Sequence, residues 1–177
     1  IREADRYYVS VLVEEEYLSK EYTEQSDGIG IDLGLKEFLF SSDGESVANM
    51  SKSNKIQKLE KSLKRQQRKL SRKVKGSENF KKQKLSIQRL HRRLKNIKNE
   101  IKRKTVLSII KKNPQYITIE NLNIKGMLKN RKLSNAFQQI GLGYFTDWLK
   151  VKCNEYGIEL RQVSRWYPSS QICSCCG

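Results

Sequence analysis

The sequence predicts a mixed α/β layer fold interrupted by a long, basic helical hairpin. Three observations carry that expectation: short β-branched and aromatic runs recur along the chain, apolar residues from Ile56 to Ile101 repeat every three or four positions, and an amphipathic stretch precedes the last apolar run. Strands, a helical insertion, then strand, helix and strand is the order expected of sheet and helix layers around one core. A length of 177 residues suits one principal domain.

Residues 7–13 read Tyr-Tyr-Val-Ser-Val-Leu-Val, which suits a strand, and the acidic residues 14–27 form a connection. From Gly28, Gly-Ile-Gly-Ile-Asp-Leu-Gly-Leu begins a second, buried strand. Phe38-Leu39-Phe40 followed by Ser42-Asp43-Gly44 predicts a hairpin, with a third strand starting at Val47 and Ala48. Ser51 or Ser53 caps a helix in which Ile56, Leu59, Leu63, Leu70 and Val74 share one stripe. Lys75-Gly76-Ser77 breaks it. A second helix carries Ile87, Leu90, Leu94, Ile97 and Ile101 at coiled-coil spacing, so the two are expected to fold back as an antiparallel hairpin.

Asn113-Pro114 ends the second helix, because proline lacks the N–H a helix needs and disfavours helical geometry in the residue before it. Residues 116–120, Tyr-Ile-Thr-Ile-Glu, form a short buried strand, and residues 121–143 a polar, glycine-punctuated loop or lid. Residues 145–156 give an amphipathic helix closed by Gly157, and residues 158–163 a further strand.

Thirty-six Lys and Arg oppose 19 Asp and Glu, a formal net charge of +17. Residues 51–112 hold 24 of the bases and only three acids, Glu60, Glu78 and Glu100, so the whole positive excess sits in the predicted hairpin. A merely solvated coiled coil would mix signs so that Glu and Lys pair along the helix. Like charges at this density call for a polyanion, with Arg65, Arg68, Arg72, Arg89, Arg92 and Arg93 as representative phosphate contacts. A membrane surface fits less well, since helix pairing consumes the apolar stripe. No apolar run approaches the ~20 residues a bilayer crossing takes, and no leader pattern opens the chain, so a soluble, cytoplasmic protein is expected.

Two acids stand in apolar strands: Asp32, between Gly30 and Gly34, and Glu120, after Ile117 and Ile119. A buried carboxylate needs a partner, either a Lys or Arg or a metal ion. The glycines favour the metal, because they leave the strand bare where a phosphodiester would approach. Magnesium takes a few carboxylates plus waters and substrate oxygens. Two such ions, about 4 Å apart with Asp32 bridging them, would activate water and stabilise the leaving oxygen.

Gly-Ile-Asp-Leu-Gly-Leu-Lys at residues 30–36, Ile-Glu-Asn-Leu-Asn at 119–123 and Trp-Tyr-Pro-Ser-Ser-Gln-Ile-Cys-Ser-Cys-Cys-Gly at 166–177 resemble, in order and spacing, the first and second RuvC motifs and the zinc-insert entry of the transposon-encoded TnpB/OrfB proteins. That resemblance implies an RNase H-like (RuvC) mixed sheet and an RNA-guided, metal-dependent DNA endonuclease of an insertion sequence, related to type V CRISPR effectors. Its partners would be a guide RNA and target DNA, with sequence read by base pairing. It makes Asp32 and Glu120 the first and second magnesium-binding, catalytic acids. The family's third acid has no counterpart before Gly177, so the chain as it stands is expected to be inactive; it opens at Ile1 and stops after a cysteine cluster, and both ends are expected to be incomplete.

The implied organisation is the end of an upstream strand-rich domain plus linker over residues 1–26, a RuvC-like domain over 27–165 with the hairpin insert at 51–112, and the first half of a zinc-binding insert over 166–177. Cys173 and Cys176 form a C-x-x-C pair that suits half of a tetrahedral zinc site better than a thioredoxin-like redox pair; Cys175 could substitute for one of them. Cys153 reads as a core thiol, His91 as a surface or phosphate-contacting residue, and Trp148 and Trp166 as packing residues. Two other readings remain: a non-catalytic nucleic-acid-binding remnant that uses the same helices, and a structural coiled-coil protein. Convergence of Asp32 and Glu120 separates the nuclease from both.

Overall fold

A computed structural model describes residues 2–14 and 26–164. The chain divides into two compact units, residues 1–18 with 49–104 and residues 19–48 with 105–177.

In the first unit, β1 (Arg2–Glu3) and β2 (Arg6–Tyr7) form a two-stranded antiparallel ladder. The strand expected over residues 7–13 ends at Tyr7: residues 8–14 have no regular structure, and Val9, Val11, Leu12 and Val13 are exposed. A strand is stable only where a neighbour takes up its backbone hydrogen bonds, and β1 offers two residues. A 3-10 turn at Met50–Lys52 leads into α1 (Asn54–Ser71), whose N-cap Ser53 accepts a hydrogen bond from the Ile56 amide. The break comes as expected at Gly76, in the left-handed region with φ +85. There follows α2 (Glu78–Lys111).

Polar contacts link the helices: Gln83 Nε2 donates to Gln66 Oε1 at 2.6 Å and to the Gln66 carbonyl at 3.3 Å, and Lys98 Nζ lies 2.9 Å from Glu60 Oε1. The expected stripe is only partly buried. Ile56, Ile87 and Leu94 are inside, Leu59, Leu63 and Leu70 are half-buried, and Val74 lies beyond α1 and is 77% exposed.

Lys102 is 4% exposed, and burial, with Lys98 adding repulsion, pushes its ammonium down to about 8. Between about pH 8 and 10.5 the unfolded chain holds a proton there that the folded chain has lost, so stability rises with pH across that window. Lys102→Met keeps the helix-forming stem and removes the buried charge. We expect it to raise the unfolding free energy at pH 7 by on the order of 1–3 kcal/mol and to flatten the rise, as read by urea titrations from pH 7 to 11.

The second unit is built on a five-stranded mixed sheet in the order β5-β4-β3-β6-β7, from β3 (Ile29–Leu33), β4 (Glu37–Ser41), β5 (Ser46–Ala48), β6 (Tyr116–Glu120) and β7 (Glu159–Val163). β4 runs antiparallel to both β3 and β5, whereas β6 runs parallel to β3 and β7. Residues 121–143, expected as a loop, contain α3 (Ile124–Lys129) and α4 (Ser134–Ile140). Their local signals are short: the Asn123 side chain accepts from the Gly126 amide, and Gly141 ends α4 in the left-handed conformation with φ 64. α5 (Leu142–Tyr156) starts three residues before Phe145 and ends, as expected, on Gly157 at φ 67.

The core gathers Ile29, Ile31 and Leu33 of β3, Ile117 and Ile119 of β6, Val106, Ile109 and Ile110 of α2, and Phe145, Leu149 and Cys153 of α5, all buried. Phe38 and Phe145, each fully buried, meet edge to face at 5.1 Å and 84°. A Cβ on Gly28 would stand 2.1 Å from Tyr116 Cζ, and the Arg161 guanidinium covers the Tyr116 ring at 3.7 Å. Only glycine therefore leaves room for the ring where β3 begins.

Candidate functional site

The parallel register of β3 and β6 pairs Gly30 with Thr118 and Ile31 with Ile119. One further step sets Asp32 beside Glu120, on strands about 4.8 Å apart. Successive side chains of a strand point to opposite faces. Ile31, Leu33, Ile117 and Ile119 accordingly enter the core, and Asp32 and Glu120 emerge together on the other face.

Both acids are thus exposed, not buried as their apolar neighbours suggested. Apolar residues at i±1 mark the core side of the strand, and the acids take the alternate positions. They share an open cleft of about 510 Å³ with Gly30, Phe40, Ser42, Thr118 and Ser164. The antiparallel pairing of β3 with β4 sets Phe40 opposite Asp32.

Among the described residues, no ion pair engages Asp32 or Glu120. They stand as a pair: among those residues no group of three or more His, Cys, Asp or Glu side chains could hold an ion. The hydroxyls of Ser42, Thr118 and Ser164 went unremarked in the sequence. Thr118 was legible, since it lies two residues before Glu120 on the same strand and therefore on the same face.

The two glycines beside Asp32 part company. At Gly34 a Cβ would stand 3.1 Å from the Glu37 carbonyl, so this glycine serves the tight link from β3 to β4. At Gly30 a Cβ would meet Ser42 at 3.6 Å, an ordinary contact; there the missing side chain leaves the cleft floor open.

On the helices, Arg65 and Arg68 are exposed and line a shallow groove with Lys58, Lys61 and Lys64, all within one helical face of α1. Arg72, at the C-cap of α1, and Arg93 are also exposed. Arg89 and Arg92 are occupied: Asp5 accepts from Arg89 at 2.9 Å and from Arg92 at 3.1 Å, and the Glu3 carbonyl accepts from Arg92 at 3.2 Å. Lys95 pairs with Glu3 at 2.6 Å. The hydrogen bond from Arg89 is the main cause that lowers the Asp5 carboxyl below its ordinary range.

Cys153 is buried in α5, and that burial pushes its thiol up to about 11, which suits a core residue. Cys173, Cys175, Cys176 and Trp166 lie outside the described residues. Among the described residues, no helix is long and apolar enough to cross a membrane.

The second unit is thus a mixed α/β fold whose sheet sets two carboxylates side by side in one open cleft, in a chain of formal net charge +17. Residues 8–131 match the family OrfB_IS605, described as a probable transposase, and residues 143–177 match the Cas12f1-like TNB domain. The chain belongs to the OrfB_IS605 family, the TnpB group.

Among its relatives, a "Putative RNA-guided DNA endonuclease" of Streptomyces pristinaespiralis is 33% identical over 98% of this chain and 42% of its own length. The similarly described InsQ of Escherichia coli is 38% identical over 71% of this chain and 30% of its own length. The chain therefore spans well under half the length of these relatives. In fold it resembles Cas12f1 in a complex with sgRNA and target DNA, with a TM-score of 0.57 and 19% identity over 89% of this chain and 40% of that one. A Cas12f ternary complex matches with a TM-score of 0.58 over the same share of this chain and 33% of its own.

Proposed function

We propose that this chain is part of the RNase H-like nuclease core of an RNA-guided DNA endonuclease of an insertion sequence, with Asp32 and Glu120 holding magnesium at the phosphodiester to be cut. The observation that carries the reading is the register of β3 and β6, which brings together two acids far apart in sequence on the solvent face of the sheet. The pair fits a hard divalent cation: both carboxylates reach the cleft and, among the described residues, no lysine or arginine engages either. Bound there, magnesium would supply an activated water and charge stabilisation for the leaving oxygen.

The chain's own residues do the positioning. Strands β3 and β6 are hydrogen-bonded on both sides and hold the carboxylates on a rigid base. Bare Gly30 leaves the floor open to a sugar-phosphate backbone. The hydroxyls of Ser42, Thr118 and Ser164 face the same space as donors to phosphate oxygens. The Lys58–Arg68 face of α1 supplies sequence-independent grip on the nucleic acid.

The test uses the full-length protein assembled with its guide RNA and a labelled matching duplex. Cleavage should require magnesium and stop on chelation. A complex that binds the duplex and never cuts it would instead fit a non-catalytic binding protein.

Electrostatics of the helices make a separate prediction. Glu3→Gln with Asp5→Asn frees Arg89, Arg92 and Lys95 for phosphate. Affinity for a generic duplex should rise severalfold, and the slope of log K against log salt should steepen by about 0.7–0.9 for each phosphate gained. Unchanged affinity and slope in a fluorescence-anisotropy titration would show that these bases do not meet nucleic acid. The Arg89–Asp5 and Lys95–Glu3 pairs are partly exposed and worth at most about 1 kcal/mol each, and the largely buried Arg92 keeps its hydrogen bond to the Glu3 carbonyl, so the double variant should still fold.

A further inference from the structure

One wall of the cleft is the turn between β4 and β5, and a single side chain from elsewhere in the fold ties it down. Lys112, the residue after α2, places its ammonium 2.5 Å from Asp43 Oδ2 and 2.6 Å from Glu45 Oε2. The turn is closed on itself as well: Asp43 Oδ1 accepts from the Glu45 amide at 3.2 Å, the Ser41 amide donates to the Glu45 carbonyl at 2.9 Å, and Gly44, at φ +86, donates to the Ser41 carbonyl at 3.0 Å.

Ser42, inside this turn, grips β3 twice. Its amide donates to the Gly30 carbonyl at 2.9 Å, and its Oγ accepts from the Gly30 amide at 2.9 Å. Gly30 lies two residues before Asp32 on the same face, and Phe40, two residues before Ser42, is the cross-strand neighbour of Asp32. A connected path thus runs from Lys112 to Asp43, along the backbone to Ser42, and across to the strand that carries the acid.

Lys112 is itself held at a defined point. Its carbonyl accepts from Ser26 Oγ at 2.9 Å, Asn113 turns the chain at φ 50, and Pro114 is fully buried behind it. Its side chain is 27% exposed, unlike the open lysines of α1, and the sequence alone had counted it among the bases that face a polyanion. The hydrogen bond from Lys112 is also the main reason the Asp43 carboxyl is held down at about 2, so the clamp stays ionised across the working range of pH.

We propose that Lys112 is a positioning residue for the Asp32–Glu120 cleft: by clamping Asp43 and Glu45 it keeps Ser42 seated on Gly30 and so holds in place the wall of the cleft that faces Asp32. The proposal rests on the nuclease reading above. Without the clamp, two carboxylates in one turn repel each other, and the turn loses the one cation that pairs with it among the described residues. The sheet remains, because the ladders of β3 with β4 and β6 do not depend on Lys112.

The test compares wild type, Lys112→Met and Lys112→Arg in the full-length protein by two readouts. Amide hydrogen exchange at Gly30 and Ser42 should speed up about tenfold in Lys112→Met, while Ile117 and Ile119 stay as in wild type. With guide and target at saturation, the cleavage rate constant should fall about tenfold with target affinity held within about twofold, since small misplacements of a reacting group cost rate and not binding. Lys112→Arg, which reaches the same carboxylates, should restore both to within about threefold.

Unchanged exchange in Lys112→Met, or faster exchange with wild-type cleavage, would overturn the proposal. So would a loss of target affinity that matches the loss of rate, which would make Lys112 a phosphate contact. Wild-type protein that binds its target and never cuts would sink the nuclease reading, and with it any positioning role. The exchange data would still report whether the tether exists.

Discussion

Asp32→Asn in the full-length, guide-loaded protein should abolish DNA cleavage, with a loss of about a thousandfold or more, and Glu120→Gln should do the same. Either amide keeps the shape of the side chain and removes one of the charges that a divalent cation needs. The protein should remain folded and bind its target as wild type does. Both side chains are exposed on the sheet face opposite the core, and surface changes away from ion pairs usually move stability by less than about 0.5 kcal/mol. The double variant should be no worse than either single one, because residues that act as a unit are not additive. Single-turnover cleavage beside target binding and a thermal melt makes the check. A variant that cuts within about tenfold of wild type would show that its carboxylate is not in the reaction.

Phe145→Ala carries the largest expected effect on folding. Its ring is fully buried against Phe38 in an edge-to-face contact at 5.1 Å, beside buried Leu142 and Leu149 on the same helix. Deleting it costs about 3–5 kcal/mol through lost transfer energy and the cavity left behind. Domains are stable by only about 5–15 kcal/mol, so this one change takes a large share. Urea unfolding should show an unfolding free energy lowered by that amount, with Phe145→Leu falling between. A shift under about 1 kcal/mol would mean that α5 does not pack on the sheet as described.

Local signals in the sequence were reliable wherever the physics was local. The β-branched and aromatic run Tyr116–Glu120 marked a strand with the bounds it has, though its alternate residues face away from the core where a buried strand was expected. The caps at Ser53 and Gly157 and the break at Gly76 were readable for the same reason: each satisfies or ends a helix within a few residues. Residues 8–13 show the limit. Their composition is that of a strand, yet strands need partners, and partnership is not written in the segment itself. The short helices α3 and α4 were missed because six and seven residues carry too little periodicity to rise above a polar background.

The candidate site was legible as residue types and not as an environment. Asp32 and Glu120 stood out, but the reason first given for them, burial, is the wrong one: the face of the strand on which they lie is the solvent face. Contacts distant in sequence were invisible, above all Asp5 with Arg89 and Arg92, and Lys112 with Asp43 and Glu45. Those pairings remove three of the bases that a count of charges alone assigns to nucleic acid.

The most direct measurement replaces magnesium with iron(II) in the full-length protein and adds ascorbate and peroxide, so that hydroxyl radicals formed at the bound ion cut the polypeptide beside it. An ion held by the two acids requires backbone cuts clustered around Asp32 and Glu120, suppressed by excess magnesium and lost in Asp32→Asn. Cuts elsewhere, or the same cuts with Asp32 replaced, would contradict it.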